Sequence, residues 1–307
     1  MTTQVQEAGC LAHGRGSTAG AELHYAYYRP RTWDELSAVL ESEPSAQVIA
    51  GGTDVMVRVR QRVIRPPALV SLRGIPELHG IAVEGGRIRI GAATPITDVV
   101  THPAVCETAP VLVQALLRLG SQQIRNVATL GGNLGNASPC ADSAPALMVL
   151  DASVRIRGRV GSREIAIGSL FAGPGKTCLE PGELISDILI EPAQGARAVF
   201  LKKSRVYMDL AQASVAVLVH ADGAVCRQVR VAAGAVGPTP LRLTEVEQLV
   251  EGKPMTLELL EQVQASASRA IAPISDVRAS EAYRRVIVGV FVKRALQQLI
   301  GLPGRPS

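Results

Sequence analysis

The sequence predicts an α+β fold in two parts divided near residue 195, and three patterns carry that reading. Short apolar runs bounded by Gly, Pro and Asp read as strands between Pro67 and Pro238. Segments with apolar residues three and four apart frame them, near the start and from Leu243 onward. Two paired-glycine stretches punctuate the first part, AGGTD at Ala50–Asp54 and TLGGN at Thr129–Asn133.

Taken in order, residues 1–23 are rich in Gly, Ala, Ser and Thr without periodicity, which predicts a flexible extension. In TWDELSAVLESEP, Asp34 and Glu35 open a helix, Leu36, Val39 and Leu40 form its stripe, and Pro44 lies past its end. AQVIAGG reads as a buried strand running into a glycine turn. TDVMVRVRQRVI follows as a helix with Val55, Met56, Val59 and Val63 on one stripe and Thr53 as N-cap. From Pro67 to Ala93 the pattern is short strands, with EGG in GIAVEGGRIRIGAAT as a hairpin turn. HPAVCETAPVLVQALLRLGS reads as helical up to Gly120, and Asn126–Leu147 as an asparagine-rich loop. SAPALMVLDASVRIRG gives a small-residue helix or turn feeding a strand, and GELISDILIEP a strand ended by Pro192. AVFLKKS and ASVAVLVHADGAVCRQVRVAAGAVGPTP add strands, with ADG as a hairpin turn. TEVEQLVEG, TLELLEQVQASASRAI and EAYRRVIVGVFVKRALQQLIG are helical, before a Gly- and Pro-rich tail.

Composition narrows the function. A chain of 307 residues predicts two or three domains and burial of roughly 75% of the unfolded surface. The five cysteines lie far apart with no C-x-x-C pair, which argues against a disulfide framework, a zinc ribbon or an iron–sulfur cluster held by this chain alone. That usage fits the reducing cytoplasm. The N-terminus lacks a basic start and an apolar run, and no segment offers about 18 uninterrupted apolar residues, so the chain is expected to be soluble, unexported and without a membrane span. The net charge is +5 and the pI near 9.1, but the arginines alternate with apolar residues, as in VRIRGRV at Val154–Val160. With aromatics at only 3%, base-stacking platforms are lacking and nucleic acid is not an expected partner.

Most motif readings fall away. GPGKT at Gly173–Thr177 imitates the end of a phosphate-binding loop, yet Leu170 stands where that loop needs glycine, and Pro174 removes an N–H donor. No G-x-G-x-x-G, H-E-x-x-H or G-x-S-x-G occurs. The glycine loops remain. Paired glycines let backbone amides approach an anion, and Thr53, Thr129 and Asn133 add side-chain donors suited to a pyrophosphate. Ser138 and Asp142 lie downstream for ribose or adenine, while Asp54 would repel a phosphate unless it points away. The residues alone leave plain tight turns and a shared ligand both open.

AGGTD, QIRNVATLGGNLGNASPCADSAPAL, GPGKTCLEPGELI, GAVGPTPLR and APISDVRASEAYRR occur in this order. In that order the chain resembles, over roughly residues 25–300, the FAD-binding medium subunit of the molybdenum hydroxylases, the xanthine dehydrogenase and aerobic carbon monoxide dehydrogenase family. The resemblance implies a two-subdomain FAD-binding fold of the vanillyl-alcohol oxidase type over 24–195, split near 65. A C-terminal domain with a small antiparallel sheet and helices would occupy 196–301, and a tail 302–307. It implies FAD contacts at Val48, Ile49, Ala50, Gly51, Gly52, Thr53 and Asp54, and at Thr129, Gly131, Gly132 and Asn133. Ser138 and Asp142 join them, with Leu184 near the flavin ring. FLKKSR offers Lys202 or Lys203 for the family's flavin-approaching lysine, with Leu201 at the strict position in some relatives. The iron–sulfur insertion of 4-hydroxybenzoyl-CoA reductase is not apparent.

On the same resemblance the chain is an electron-transfer oxidoreductase subunit with no catalytic acid, base or nucleophile and no metal of its own. A small subunit with two [2Fe-2S] clusters and a large molybdopterin subunit would be its partners, as (αβγ)2, with NAD or another acceptor. A self-contained flavin oxidoreductase is the alternative within the same superfold.

Overall fold

The computed structural model describes residues 25–223 and 225–301. The expected N-terminal extension and the C-terminal tail lie outside the described residues. The first layer comprises β1 (Ala26–Tyr28), α1 (Trp33–Ser42), β2 (Gln47–Ile49), α2 (Val55–Arg60) and β3 (Ala68–Ser71). The strands lie in the order β1-β3-β2, all parallel, which requires the crossovers that α1 and α2 provide. Thr32 caps α1 by accepting from the Glu35 N–H at 3.2 Å. Trp33 and Leu36 then pack on Val70, Leu72, Ile75 and Leu78. Because β3 belongs to this sheet, the change of sheet follows Ser71, beyond the expected split near residue 65.

Next come β4 (Ile81–Glu84) and β5 (Arg87–Gly91), joined at Gly85–Gly86 as the EGG signal predicts. Six helices follow: α3 (Ile96–Thr101), α4 (Pro103–Thr108), α5 (Pro110–Leu117), α6 (Gln122–Arg125), α7 (Leu130–Gly135) and α8 (Ser143–Val149). The expected helix through His102–Gly120 is thus two, broken where Pro110 has no N–H to continue α4. The expected asparagine-rich loop contains α7, N-capped by Thr129, and the start of α8, and tertiary packing there overrides poor propensity. Strands β6 (Ser153–Gly158), β7 (Gly161–Ala166), β8 (Phe171–Gly173), β9 (Lys176–Thr177) and β10 (Leu184–Ile190) complete this part. The main sheet runs β4-β5-β10-β6-β7, antiparallel throughout. Ile88, Ile90, Val154, Ile156, Ile188 and Ile190 face Leu112, Leu116, Leu130 and Leu147 of the helices, so alternate residues point to the opposite face.

The last part is an antiparallel sheet of β11 (Arg197–Lys203), β12 (Ala213–Asp222), β13 (Val225–Gly234) and β14 (Leu241–Arg242). It is followed by α9 (Thr244–Val250), α10 (Leu257–Arg269) and α11 (Glu281–Ile300). One face of this sheet, with Val215, Val217 and Val231, buries against Leu260, Val263, Val288 and Val292 of the helices. Its other face, with Phe200, Ala216, Leu218 and Ala232, joins the core of the preceding part. Period-two strands therefore bind both parts to one central sheet. Among the described residues no helix is long and apolar enough to cross a membrane.

Arg284 of α11 fastens this arrangement. Its side chain is buried and donates to the carbonyls of Gln212 and Ala235 at 2.7 Å each and to Asp276 at 2.7 Å. Arg284→Met leaves the buried Gln212 and Ala235 carbonyls without this donor and removes the guanidinium from Asp276, which keeps the Arg278 and Ala279 N–H groups, and the expected loss is about 3 kcal/mol of unfolding free energy. Urea denaturation checks this; a loss below about 1 kcal/mol would mean that Arg284 is dispensable for the fold.

Candidate functional site

Beyond β2 the chain turns through Ala50, Gly51, Gly52, Thr53 and Asp54 into α2. Gly52 has φ +77°, a left-handed conformation that admits glycine readily, and the Ile49 side chain closes beneath it. A Cβ on Gly51 would overlap the Val127 carbonyl, so this loop lies directly on the backbone that leads into the second glycine stretch. Among the described residues nothing accepts a hydrogen bond from the backbone N–H groups of Gly51 through Val55. Successive unsatisfied amides in a turn form an anion-binding concavity. Asp54, not Thr53 as expected, holds the N-cap position, and its side chain makes no cap bond. Instead its carboxylate accepts from the Asn136 side-chain amide at 2.9 Å, tying it to the end of α7.

The second stretch is built differently. Thr129 caps α7 by accepting from the Gly132 N–H at 3.0 Å. The N–H groups of Leu130, Gly131 and Asn133 donate to the carbonyls of Thr94, Ala92 and Thr129. The expectation that TLGGN repeats the open-amide geometry of AGGTD is therefore corrected: its amides are spent on packing α7 against the end of β5. Gly131 is needed for that contact, since a Cβ there would overlap Ala92. Gly132 is exposed, and a Cβ on it would stand 3.5 Å from the Ala50 Cβ and 2.8 Å from Thr129 Oγ1. The two loops thus face each other across Gly132 and Ala50. Asn133 Oδ1 accepts from Ser143 Oγ at 2.6 Å, which leaves the amide NH2 as the available donor.

The remaining predicted residues fall in two other groups. Val48, Ala50 and Leu184 are half-buried against one cluster that includes Trp33 and Ala93. Ser138 accepts from the Cys140 N–H at 3.2 Å and shapes the turn before α8. Asp142 is buried, and its Oδ2 accepts from Lys202 Nζ at 2.6 Å, while Nζ also donates to the Arg118 carbonyl at 2.9 Å. The other oxygen, Asp142 Oδ1, is buried without a partner. Burial pushes the Asp142 carboxyl up to about 6, against the opposing charges of Lys202 and Arg118. Strand alternation separates the two lysines. Lys202 shares the Phe200 face of β11, toward the first part, whereas Lys203 is exposed on the Leu201 face. Sequence reasoning missed Asn136, although it lies within the quoted motif, and Arg118, for which no local signal exists.

These features fit an extended anionic cofactor: unsatisfied amides on one wall, hydroxyl and amide donors on the other, and an orphaned carboxylate oxygen able to accept from a hydroxyl. Comparison with known proteins points the same way. Residues 22–192 match the family described as FAD binding domain in molybdopterin dehydrogenase. Residues 198–299 match the CO dehydrogenase flavoprotein C-terminal domain. The chain is 31% identical to the putative xanthine dehydrogenase FAD-binding subunit XdhB of Escherichia coli (strain K12), covering 91% of this chain and 97% of that protein. It is 32% identical to the carbon monoxide dehydrogenase medium chain of Hydrogenophaga pseudoflava, covering 89% and 96%. The solved carbon monoxide dehydrogenase from Hydrogenophaga pseudoflava superposes with a TM-score of 0.88 at 29% identity, covering 91% of this chain and 98% of that chain.

The Asp142 environment sets a pH dependence. Its carboxyl titrates near 3.8 in the unfolded chain and near 6 in the fold, so across that interval the folded state binds more protons. Stability contributed by this group is full at the acid end, falls as pH rises through the interval and is level above it. Wild type is expected to lose stability relative to Asp142→Asn between pH 3.8 and 6, read as diverging urea midpoints. Parallel midpoints across that window would contradict the raised carboxyl.

Proposed function

The chain belongs to the family of FAD-binding flavoproteins of the molybdopterin dehydrogenases, and from that premise we propose that it is the electron-relay subunit of a heteromeric molybdenum-containing hydroxylase. It is an oxidoreductase subunit of the xanthine and carbon monoxide dehydrogenase type, with FAD as its cofactor. The observation that carries the cofactor assignment is the run of unsatisfied amides from Gly51 to Val55 opposite Gly132.

In this proposal those amides hold the FAD pyrophosphate, with Thr53, the Thr129 hydroxyl and the Asn133 NH2 as further donors. Asn136 draws the Asp54 carboxylate aside, which lowers its repulsion of the phosphates. Ser138 shapes the loop, Asp142 Oδ1 accepts from a cofactor hydroxyl, and Val48, Ile49, Ala50 and Leu184 supply apolar contact. Lys202, clamped between Asp142 and the Arg118 carbonyl, keeps a fixed positive charge beside the site. Bound FAD supplies the redox chemistry, accepting electrons singly or in pairs, while the protein orients it and sets its surroundings.

The partners in this reading are a small subunit with two [2Fe-2S] clusters and a large molybdopterin subunit, assembled as (αβγ)2 in the cytoplasm. NAD or another acceptor takes the electrons. FAD binding would occupy residues 24–195, and the C-terminal part 196–301. Relatives named for xanthine and for carbon monoxide are nearly equally similar to this chain, which fits a substrate choice made in the large subunit.

Co-purification tests the assembly: the chain is expected to pull down an iron–sulfur and a molybdopterin polypeptide. Substrate hydroxylation by the purified chain alone would instead establish a self-contained flavin oxidoreductase. Acid precipitation is expected to release all the flavin into the supernatant as FAD; flavin left on the protein would indicate a covalent link. Gly132→Val places a branched side chain between the two loops, and FAD occupancy is expected to fall at least about tenfold with the circular dichroism unchanged. Full occupancy in the folded variant would remove the Gly132 face from the site.

A further inference from the structure

A separate cavity of about 490 Å3 opens on the outer face of the five-stranded sheet, and none of the FAD-site residues above lines it. Arg155 and Arg157 of β6, Ser162 of β7 and Ser186 of β10 form one side, and Glu77 and Glu84 the other. The volume falls in the range of small-molecule sites, roughly 300–1,000 Å3.

The charges on this face are mostly consumed. Arg89 donates to Glu84 and Asp187 at 2.8 Å each, Arg155 donates to Asp187 at 3.3 Å, and Ser186 Oγ donates to Asp187 at 2.8 Å. Arg157 differs, because among the described residues it has no carboxylate partner. Its guanidinium lies 4.4 Å over the ring of Trp33. That ring is itself buried, and its indole N–H donates to the Gly158 carbonyl at 3.3 Å. Stacking occupies the face of a guanidinium and leaves the N–H donors on its edge free, in a fixed fork that matches an oxyanion. Register places Ser162 directly across from Arg157, so a hydroxyl stands beside the fork. On the far side Glu84 is paired with Arg89 and Glu77 repels anions, which confines the negative group to the Arg157 end.

We propose that this cavity binds a phosphate group, free or as the head of a small phosphomonoester, on the Trp33-stacked Arg157 with Ser162 as second donor. The proposal is independent of the FAD assignment.

Trp33 is the only tryptophan in the chain, so its emission reports the stack directly. The FAD-loaded protein is titrated at constant ionic strength with inorganic phosphate and, separately, with ribose 5-phosphate, using chloride as control. A saturable change in Trp33 emission with either anion and none with chloride is expected. Tighter binding of ribose 5-phosphate assigns the site to esters, and tighter binding of inorganic phosphate assigns it to the free anion. Arg157→Gln is expected to weaken binding at least about tenfold while the flavin absorbance stays unchanged. Ser162→Ala, which removes an exposed hydroxyl with no structural partner, is expected to weaken it about threefold. No saturable response to either anion, or an Arg157→Gln protein that titrates like wild type, overturns the proposal, and retained flavin absorbance keeps that outcome separate from the FAD reading.

Discussion

Backbone lying directly on backbone is the constraint from which the rest of this structure follows. Gly51 rests on the Val127 carbonyl, and Gly131 rests on Ala92 at the end of β5. With no Cβ at either point, the loop from the parallel sheet, the α7 turn and the end of β5 in the antiparallel sheet meet within van der Waals distance. Any side chain at Gly51 or Gly131 would part them. The same contact that joins the two sheets therefore brings two walls together, one with open amides and one with closed amides.

That asymmetry gives the site its chemistry. At α7 the protein satisfies its own backbone donors, so the turn is rigid without a ligand. At Gly51–Val55 it leaves them open, a cost that a bound anion would offset. Electrostatics follow the same division. Asn136 reaches back from the closed wall to hold the Asp54 carboxylate. Asp142 and Lys202 form a buried pair linking α8 to β11, and thereby the first part to the C-terminal sheet. A buried pair is weak evidence for stability, because desolvation offsets much of its attraction. Its value here is positional, since it fixes an ammonium and an orphaned carboxylate oxygen at the seam between the two parts.

The central sheet explains why a separate C-terminal part is needed at all. Strands β11–β13 bury one face under α10 and α11 and the other against α5 and α8. Lys202 can reach Asp142 only because its neighbours Leu201 and Lys203 turn the other way.

By itself the sequence determined what depends on near neighbours along the chain. Leu36, Val39 and Leu40 define α1, Gly85–Gly86 the first hairpin, the run EAYRRVIVGVFVKRALQQLIG the extent of α11, and the order of glycine motifs the family. Those signals are periods, caps and turns, which operate over a few residues. Tertiary structure alone decided the rest. Asp54 pairs with Asn136 across 82 positions, Lys202 rather than Lys203 meets Asp142 across 60, and the Trp33 indole finds Gly158 across 125. TLGGN and AGGTD look alike as strings, yet one spends its amides on Ala92 and Thr94 and the other keeps them open. A glycine pair specifies that backbone can come close, and only the packed chain specifies what it comes close to.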